Sequence, residues 1–324
     1  MALRVVVTDH VFEDLEIERS LLGAIGAEVF QAPATDEVTL AGLAREADAM
    51  LVCYAPITKA VIDAAAGRCR IMARYGIGYD NIPVEAATAA GILVTNVPDY
   101  CIEEVADHTV ALLLACARGL IPAARSVEGG EWRVPRSGVH RLRGRRLSLL
   151  GLGRIGRRVA ERALAFGLEV AAHDPYAPPG GAGIRAAASV EEAIAEADFI
   201  SLHMPLTPQT RHLIGDSTIA LMRHAPVLVN TSRGGLVDLD ATVRALDDGR
   251  LAAVGLDVTD VEPLPPLHPL RSHPRALITP HMAFYSAEAQ DDLQARAAEE
   301  VVRRLQGQAP RSPVNPQVLN QGAR

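Results

Sequence analysis

Residues 146–176 read RLSLLGLGRIGRRVAERALAFGLEVAAHDPY, and this stretch decides the fold. An apolar run over 146–150 has the composition of a buried strand. Gly151, Gly153 and Gly156 follow in the pattern GxGxxG, and a helical period over 154–166 comes next. A second apolar run over 169–173 ends on Asp174. Strand, glycine turn, helix and strand in that order make a βαβ unit, and a dinucleotide needs each part of it. Gly151 permits a tight turn, Gly153 lets backbone N–H groups approach a pyrophosphate, and Gly156 lets the helix pack on the strand. The helix N-terminus, opened by Arg154 and Ile155, favours the anion. A carboxylate at Asp174 can accept both ribose hydroxyls and would repel a 2′-phosphate, which favours NAD over NADP. GxGxxG alone is a weak signal; the flanking strands and the acid roughly twenty residues on give it its specificity.

Outward from this unit the alternation continues in both directions. Downstream, strands are predicted at 198–202, 226–230, 252–257 and 276–279, and helices at 190–195 and 241–247. A last helix runs from about 286 to 306. Upstream, strands at 4–8, 27–30, 49–53, 71–74 and 92–95 alternate with helices in 15–25, 37–47, 58–66 and 84–90. Such alternation implies parallel sheets. A long helix over 102–119 begins with Glu103 and Glu104 and ends with Arg118, the charge order a helix dipole prefers. Residues 129–146 read as an irregular, arginine-bearing loop or subunit-contact arm. The proline-rich tail reads as a surface wrap. The chain of 324 residues is too long for one ordinary domain and suits two.

Composition removes several functional classes. Apolar residues make up 49% of the chain, enough for a sizeable core. The 32 basic and 39 acidic residues leave a net charge of −7, which argues against a nucleic-acid partner. No apolar run approaches the roughly 20 residues that span a bilayer, and the start lacks a secretory signal, so no membrane partner is expected. The four cysteines form no CxxC pair and fit reduced thiols in a cytoplasmic protein. The single lysine, Lys59, follows no glycine-rich loop, so a GxxxxGK[ST] triphosphate site is excluded. His10, His140, His203, His212, His224, His268 and His273 show no zinc-ligand spacing, and no metal site is predicted.

Three residues follow predicted strands beyond the dinucleotide motif: Arg233 in VLVNTSRGGLVD, Glu262 in GLDVTDVEPLP and His281 in LITPHMAFYS. In an open parallel sheet, ligands gather beyond the carboxyl ends of the strands. These residue types suit hydride transfer to a 2-oxo acid. Arg233 can fork onto a carboxylate and the adjacent carbonyl oxygen. His281 can donate a proton to that oxygen, and Glu262 can orient the imidazole and keep its acid form available near neutral pH. Singly, each also has a plain structural reading as an ion pair, a turn residue or a loop histidine. His108 reads more simply as a residue at the start of the long helix, and Cys101 as a buried thiol.

The segments ARYGIGYDNIPVEAA, GILVTNVPDYCIEEVADHTVALLLA, GLGRIG, HDPY, SLHMPLTPQTRHLIG, NTSRGGLVD, GLDVTDVEP and TPHMAFYS, in this order, resemble the D-isomer-specific 2-hydroxyacid dehydrogenases. The resemblance covers residues from about 45 to 315. It implies an α/β fold of two doubly wound parallel-sheet lobes around a cleft. A Rossmann-like NAD lobe at 101–286 would be inserted in a flavodoxin-like substrate lobe formed by 1–100, with 287–324 returning to that lobe. It implies NAD as cofactor, a homodimer through the NAD lobes, and a catalytic set matching Arg233, Glu262 and His281. Its cofactor positions fall on Thr109, Arg154, Ile155, Asp174, Met204, Pro205, Thr231 and Asp257, the last of which would hold the nicotinamide amide. The loop 74–78, with Arg74, Ile77 and Gly78, matches the part that receives the substrate carboxylate through backbone N–H groups.

Within the family, HMAFYSAEA and RYGIGYDN look most like the C-terminal-binding-protein branch, where the aromatic at Phe284 faces the substrate. An NADH-sensing corepressor-like binding protein is therefore the alternative to an ordinary reductase. A phosphite-oxidising relative would carry a lysine where this chain has Ile77. No C-terminal regulatory domain is expected. Only Arg74 is an evident extra cation for a phosphorylated substrate, so a small or apolar 2-oxo acid is expected instead.

Overall fold

The computed structural model describes residues 2–132, 134, 139–177 and 183–320. The chain divides into two compact units, one of residues 1–100 with 286–324 and one of residues 101–285.

The first unit carries β1 (Leu3–Val7), α1 (Glu16–Gly23), β2 (Ala27–Gln31), α2 (Glu37–Ala44), β3 (Ala49–Val52), α3 (Lys59–Ala65), β4 (Ile71–Arg74), α4 (Val84–Ala89) and β5 (Leu93–Thr95). Its five strands lie parallel in the order β2-β1-β3-β4-β5. Central strands such as AMLV in β3 are buried throughout, as a sheet covered on both faces requires. Side chains alternate between faces along a strand. Val5 and Val7 accordingly join Leu22 of α1 in one apolar cluster, while Val6 joins Leu40 and Ile62 in another.

The second unit carries α5 (Ile102–Ala117), α6 (Leu120–Glu128), β6 (Arg146–Leu150), α7 (Arg154–Ala165), β7 (Glu169–His173), β8 (Ile184–Ala186), α8 (Val190–Ala195), β9 (Phe199–Leu202), α9 (Asp216–Ile219), β10 (Val227–Asn230), α10 (Leu239–Asp247), β11 (Ala253–Leu256) and β12 (Ala276–Ile278). The seven strands are parallel in the order β12-β11-β10-β9-β6-β7-β8. α5 and α7 cover one face, and α8 and α10 cover the other. The strand order reverses at β1 in one sheet and at β6 in the other, which opens a crevice at the carboxyl ends.

The last helix, α11 (Ala287–Leu305), belongs to the first unit, where its Leu293, Ala297 and Val301 pack into the cluster of β1 and α1. Ser286 caps it by accepting the Ala289 N–H at 2.9 Å.

Some expectations change. The described part of the tail runs over the surface but is also anchored in the first unit. Residue 313 bridges antiparallel to Thr95, and Asn315 is fully buried. Asn315 accepts the Val94 N–H at 2.7 Å and donates to the Ile92 carbonyl at 3.0 Å and Thr88 Oγ1 at 2.9 Å. The asparagine thus satisfies backbone groups at the edge of β5, a pairing that composition does not announce. The long helix stops at Ala117 because Gly119 turns left-handed at φ 59, and the unpredicted α6 starts there. β8 and α9 were not predicted either; both are too short to show a period. Of the expected loop at 129–146, residues 133 and 135–138 lie outside the described residues, as do 321–324 of the tail.

Candidate active site

The glycine turn joins β6 to α7 at the crevice of the second unit. Gly151 has φ 103, and a Cβ there would lie 2.3 Å from the His203 carbonyl oxygen, at the end of β9. A Cβ on Gly156 would lie 2.5 Å from the Gly151 oxygen. Both glycines are therefore required by the fold itself. Gly153 differs: a Cβ there would meet nothing within 4 Å. It is also the N-cap of α7 with no side-chain cap, so the first N–H groups of the helix stand open for an anion beside Arg154 and Ile155. These features fit the pyrophosphate of a dinucleotide.

Asp174 is tied to this turn. Its Oδ2 accepts the Leu152 N–H at 2.7 Å, and its Oδ1 accepts the N–H groups of Tyr176 at 2.8 Å and Ala177 at 3.0 Å. Burial pushes this carboxyl up, but the three amides outweigh it and hold its pKa below the ordinary value. Asp174 is thus an anion beside the turn, suited to hydroxyls and unsuited to a phosphate. Further along the crevice, Thr109 of α5 and Thr231 after β10 are both buried, with Oγ1 atoms 2.7 Å apart. The Thr109 hydroxyl donates to the Val105 carbonyl at 2.6 Å, so Thr231 is the donor between them. Met204 and Pro205 follow β9 after His203, with Met204 packed on the core and Pro205 exposed.

The candidate catalytic residues come together on the loops after β10, β11 and β12. His281 Nδ1 lies 2.7 Å from Glu262 Oε2, and Glu262 Oε1 accepts the Thr259 N–H at 2.9 Å. Burial pushes the Glu262 carboxyl up. The hydrogen bond and charge of His281, the Thr259 amide and the Arg233 charge outweigh that and leave its pKa lowered. An ionised carboxylate only accepts, so the His281 Nδ1 carries the proton in this pair. Arg233 stands at the start of a 3₁₀ turn, Gly234–Leu236. Its carbonyl accepts from Asn230 Nδ2 at 2.8 Å, and its Nη1 donates to the Ser232 carbonyl at 2.8 Å. A Cβ on Gly234 would lie 2.0 Å from the Thr259 backbone, so glycine there lets the Arg233 and Glu262 loops press together.

The first unit presents Arg74, Ile77 and Gly78 at the end of β4. The Arg74 guanidinium lies 5.6 Å from the Tyr54 ring centre. Gly76, at φ 138, admits it: a Cβ there would be 2.2 Å from Arg74 Nη1. The Val97 N–H donates to the Gly76 carbonyl at 3.0 Å, and Asn96 Nδ2 donates to the Ile77 carbonyl at 2.7 Å. The loop carbonyls are thereby held, while the Ile77 and Gly78 amides have no acceptor among the described residues. Phe284 lies in the second unit, in the turn after His281, and is half-buried.

Residues 110–283 match the family described as D-isomer specific 2-hydroxyacid dehydrogenase, NAD binding domain. The chain is 40% identical to a glyoxylate reductase of Aeropyrum pernix over 98% of this chain and 97% of that protein. It belongs to the D-isomer-specific 2-hydroxyacid dehydrogenase family. It is 38% identical over 97% of its length to a D-3-phosphoglycerate dehydrogenase of Methanocaldococcus jannaschii, of which it spans 59%. A solved NADPH-dependent glyoxylate/hydroxypyruvate reductase from Sinorhizobium meliloti, in complex with NADP and malonate, superposes with a TM-score of 0.87 at 30% identity. That similarity covers 97% of each chain.

As a member of this oxidoreductase family the chain carries its NAD-binding domain in the second unit. That unit also holds a hydrogen-bond network, centred on an expected residue, that sequence reasoning did not anticipate. Asp257 is buried, and its Oδ1 accepts from Thr279 Oγ1 at 2.6 Å and the Met282 N–H at 2.9 Å, while Oδ2 accepts the Ala283 N–H at 2.8 Å. Its backbone carbonyl takes the His281 N–H at 2.8 Å, and His281 sits at φ 52, a left-handed conformation uncommon outside glycine. Asp257, expected as a nicotinamide contact, thus also organises the loop of His281. The Thr279 hydroxyl donates to Asp257, so it accepts from His108 Nε2 at 3.0 Å. His108, expected only as a residue at the helix start, extends this network. Its position one residue before Thr109 was the available signal.

Proposed function

We propose that the chain is an NAD-dependent reductase that interconverts a small 2-oxo acid and the corresponding D-2-hydroxy acid. The observation that carries this is the 2.7 Å pairing of His281 Nδ1 with Glu262 in the unit that also holds Arg233 and the dinucleotide turn. Bound NADH would supply a hydride to the substrate carbonyl carbon. Gly151, Gly153, Arg154, Ile155 and Gly156 would hold its pyrophosphate, Asp174 its ribose, and Thr109, Met204, Pro205, Thr231 and Asp257 the rest. Arg233 would fork onto the substrate carboxylate and carbonyl oxygen, polarising the bond and offsetting the charge that develops there. With Nδ1–H committed to Glu262, His281 Nε2 gives its proton to that oxygen and becomes neutral; in reverse it takes the hydroxyl proton. Glu262 fixes the ring and offsets the imidazolium charge. The Ile77 and Gly78 amides, with Arg74 beside them, would receive the carboxylate, and Phe284 would face the substrate.

NAD is favoured over NADP by the ionised Asp174 at the end of β7. The reading includes a cytoplasmic homodimer. An apolar cavity of about 580 Å³, lined by Ala115, Cys116, Ile121, Val134 and Leu277, flanks α5 and α6, and Trp132 is 89% exposed nearby in sequence. Cys53, Cys69, Cys101 and Cys116 are free thiols, as a reducing compartment keeps them. The glyoxylate reductase resemblance over nearly the whole of both chains favours a small 2-oxo acid. The corepressor-like branch and its sensing role draw no support from relatives that are reductases and dehydrogenases.

The test is loss of NADH absorbance with glyoxylate, pyruvate, hydroxypyruvate, branched and aromatic 2-oxo acids, and phosphohydroxypyruvate. Rapid oxidation with a small member, slower with NADPH, is expected. NADH binding with no turnover of any member would contradict the reading.

A further inference from the structure

The first unit buries a carboxyl group that the proposed chemistry does not use. Glu18, on α1, is fully buried in the apolar cluster of Leu15, Leu22 and Leu293. No arginine or lysine pairs with it among the described residues. Its partners are neutral: the Tyr75 hydroxyl donates to Oε1 at 2.7 Å, and Gln294 Nε2 of α11 donates to Oε2 at 3.0 Å. Gln294 also donates to the Asp14 carbonyl at 3.0 Å. Tyr75 is 1% exposed, and its ring meets Phe12 edge-on at 5.0 Å. Burial, and then the Glu18 charge, push the Tyr75 phenol well above its ordinary value, so it remains a donor at working pH.

Such a group is a poor way to stabilise a core. Buried polar and charged groups are costly to desolvate, and apolar residues of the same volume commonly serve stability as well or better. Phenylalanine would fill the Tyr75 site at no such cost. What the arrangement adds is direction. Tyr75 is the first residue past β4, its N–H donates to the Val52 carbonyl at 2.8 Å, and it leads straight into Gly76 at φ 138. Asn96 and Val97 hold the loop at Ile77 and Gly76. The hydroxyl of Tyr75, fixed from α1 and α11, holds it at its start.

We propose that Glu18, Tyr75 and Gln294 form a buried tether that keeps the 74–78 loop in its anion-receiving shape, which makes Tyr75 a positioning residue for the substrate. The catalytic part rests on the function proposed above; the structural part does not. The variants are Tyr75→Phe, Glu18→Leu and Glu18→Gln, the last of which keeps an oxygen for the Tyr75 hydroxyl.

Two readouts are taken on the full chain: hydrogen exchange at the 76–78 amides, and KM for glyoxylate against KM for NADH. Tyr75→Phe and Glu18→Leu should each raise exchange at the loop and KM for glyoxylate about tenfold, with KM for NADH and kcat little changed. Glu18→Gln keeps the acceptor for Tyr75 but not the one for Gln294, and should lie nearer wild type than Glu18→Leu in both. Wild-type loop exchange in Tyr75→Phe, or exchange raised evenly through the first unit, would overturn the tether. If the wild type reduces no 2-oxo acid, the proposed function fails, while the exchange arm still decides the tether.

Discussion

The two sheets place opposite chemistry at the same topological position. In the second unit the crevice between β6 and β9 is left open: Gly151 abuts the His203 carbonyl, and the space before Gly153 is clear. In the first unit the crevice between β1 and β3 is closed by the protein itself. Asp9, just past β1, accepts the N–H groups of Cys53 at 3.2 Å, Tyr54 at 2.7 Å and Ala55 at 3.1 Å, all just past β3. One unit leaves amides open at its glycine turn; the other satisfies them with an internal carboxylate. In the proposed function the anion is received instead by the 74–78 loop, at the end of β4. A shared architecture therefore says little about ligand, and the residue after the switch strand says much.

The largest effect is expected at the open crevice. Gly151→Ala should abolish NADH binding and compromise folding, since its Cβ would overlap the His203 carbonyl and φ 103 is strained for alanine. Gly153→Ala should fold with a Tm near that of wild type, yet bind NADH about 100-fold more weakly by fluorescence titration. Equal binding by Gly153→Ala and wild type would mean that the open space is not a pyrophosphate site.

Glu262→Gln should lower kcat by about 10²-fold with little change in NADH affinity. Its pH dependence has a definite sign. The folded pKa of Glu262 is lowered from 4.5. Its contribution to stability is therefore fully present above about 4.5 and lost as pH falls through the lower folded value. The stability gap between wild type and Glu262→Gln should be constant near neutrality and shrink in acid. A gap that grows on acidification would contradict the pairing.

Asp174→Ala should cut the preference for NADH over NADPH, as a ratio of kcat/KM, by about tenfold or more. An unchanged ratio would place cofactor discrimination elsewhere. At the closed crevice the expected effect falls on stability and leaves the cofactor preference alone. Asp9→Ala leaves three amides unpaired and should cost about 2–4 kcal/mol in denaturant unfolding. Sulfate should then raise the Tm of the variant more than that of wild type. No selective rescue would show that the two crevices are not chemical opposites.

Much of this was legible in the sequence. The glycine turn, Asp174 and the strands around them follow from local period and spacing, because each has a local physical cause. The candidate catalytic residues were readable as side chains after strands, but the 2.7 Å pairing of His281 with Glu262 depends on where two loops end, which no window of sequence contains. The organising role of Asp257 was hidden because its partners, Thr279, Met282 and Ala283, are mostly backbone donors more than twenty residues away. Asn315 in the tail and Glu18 in the core were hidden for the same reason. Their meaning lies in distant partners, and by composition they read as ordinary polar residues.

The most direct test of the central claim is His281→Asn, assayed with NADH and the best 2-oxo acid of the panel. The account predicts turnover lowered by about 10²–10⁴-fold, with NADH affinity within a few-fold of wild type. Turnover close to wild type would contradict the assignment of His281 as the group that moves the proton.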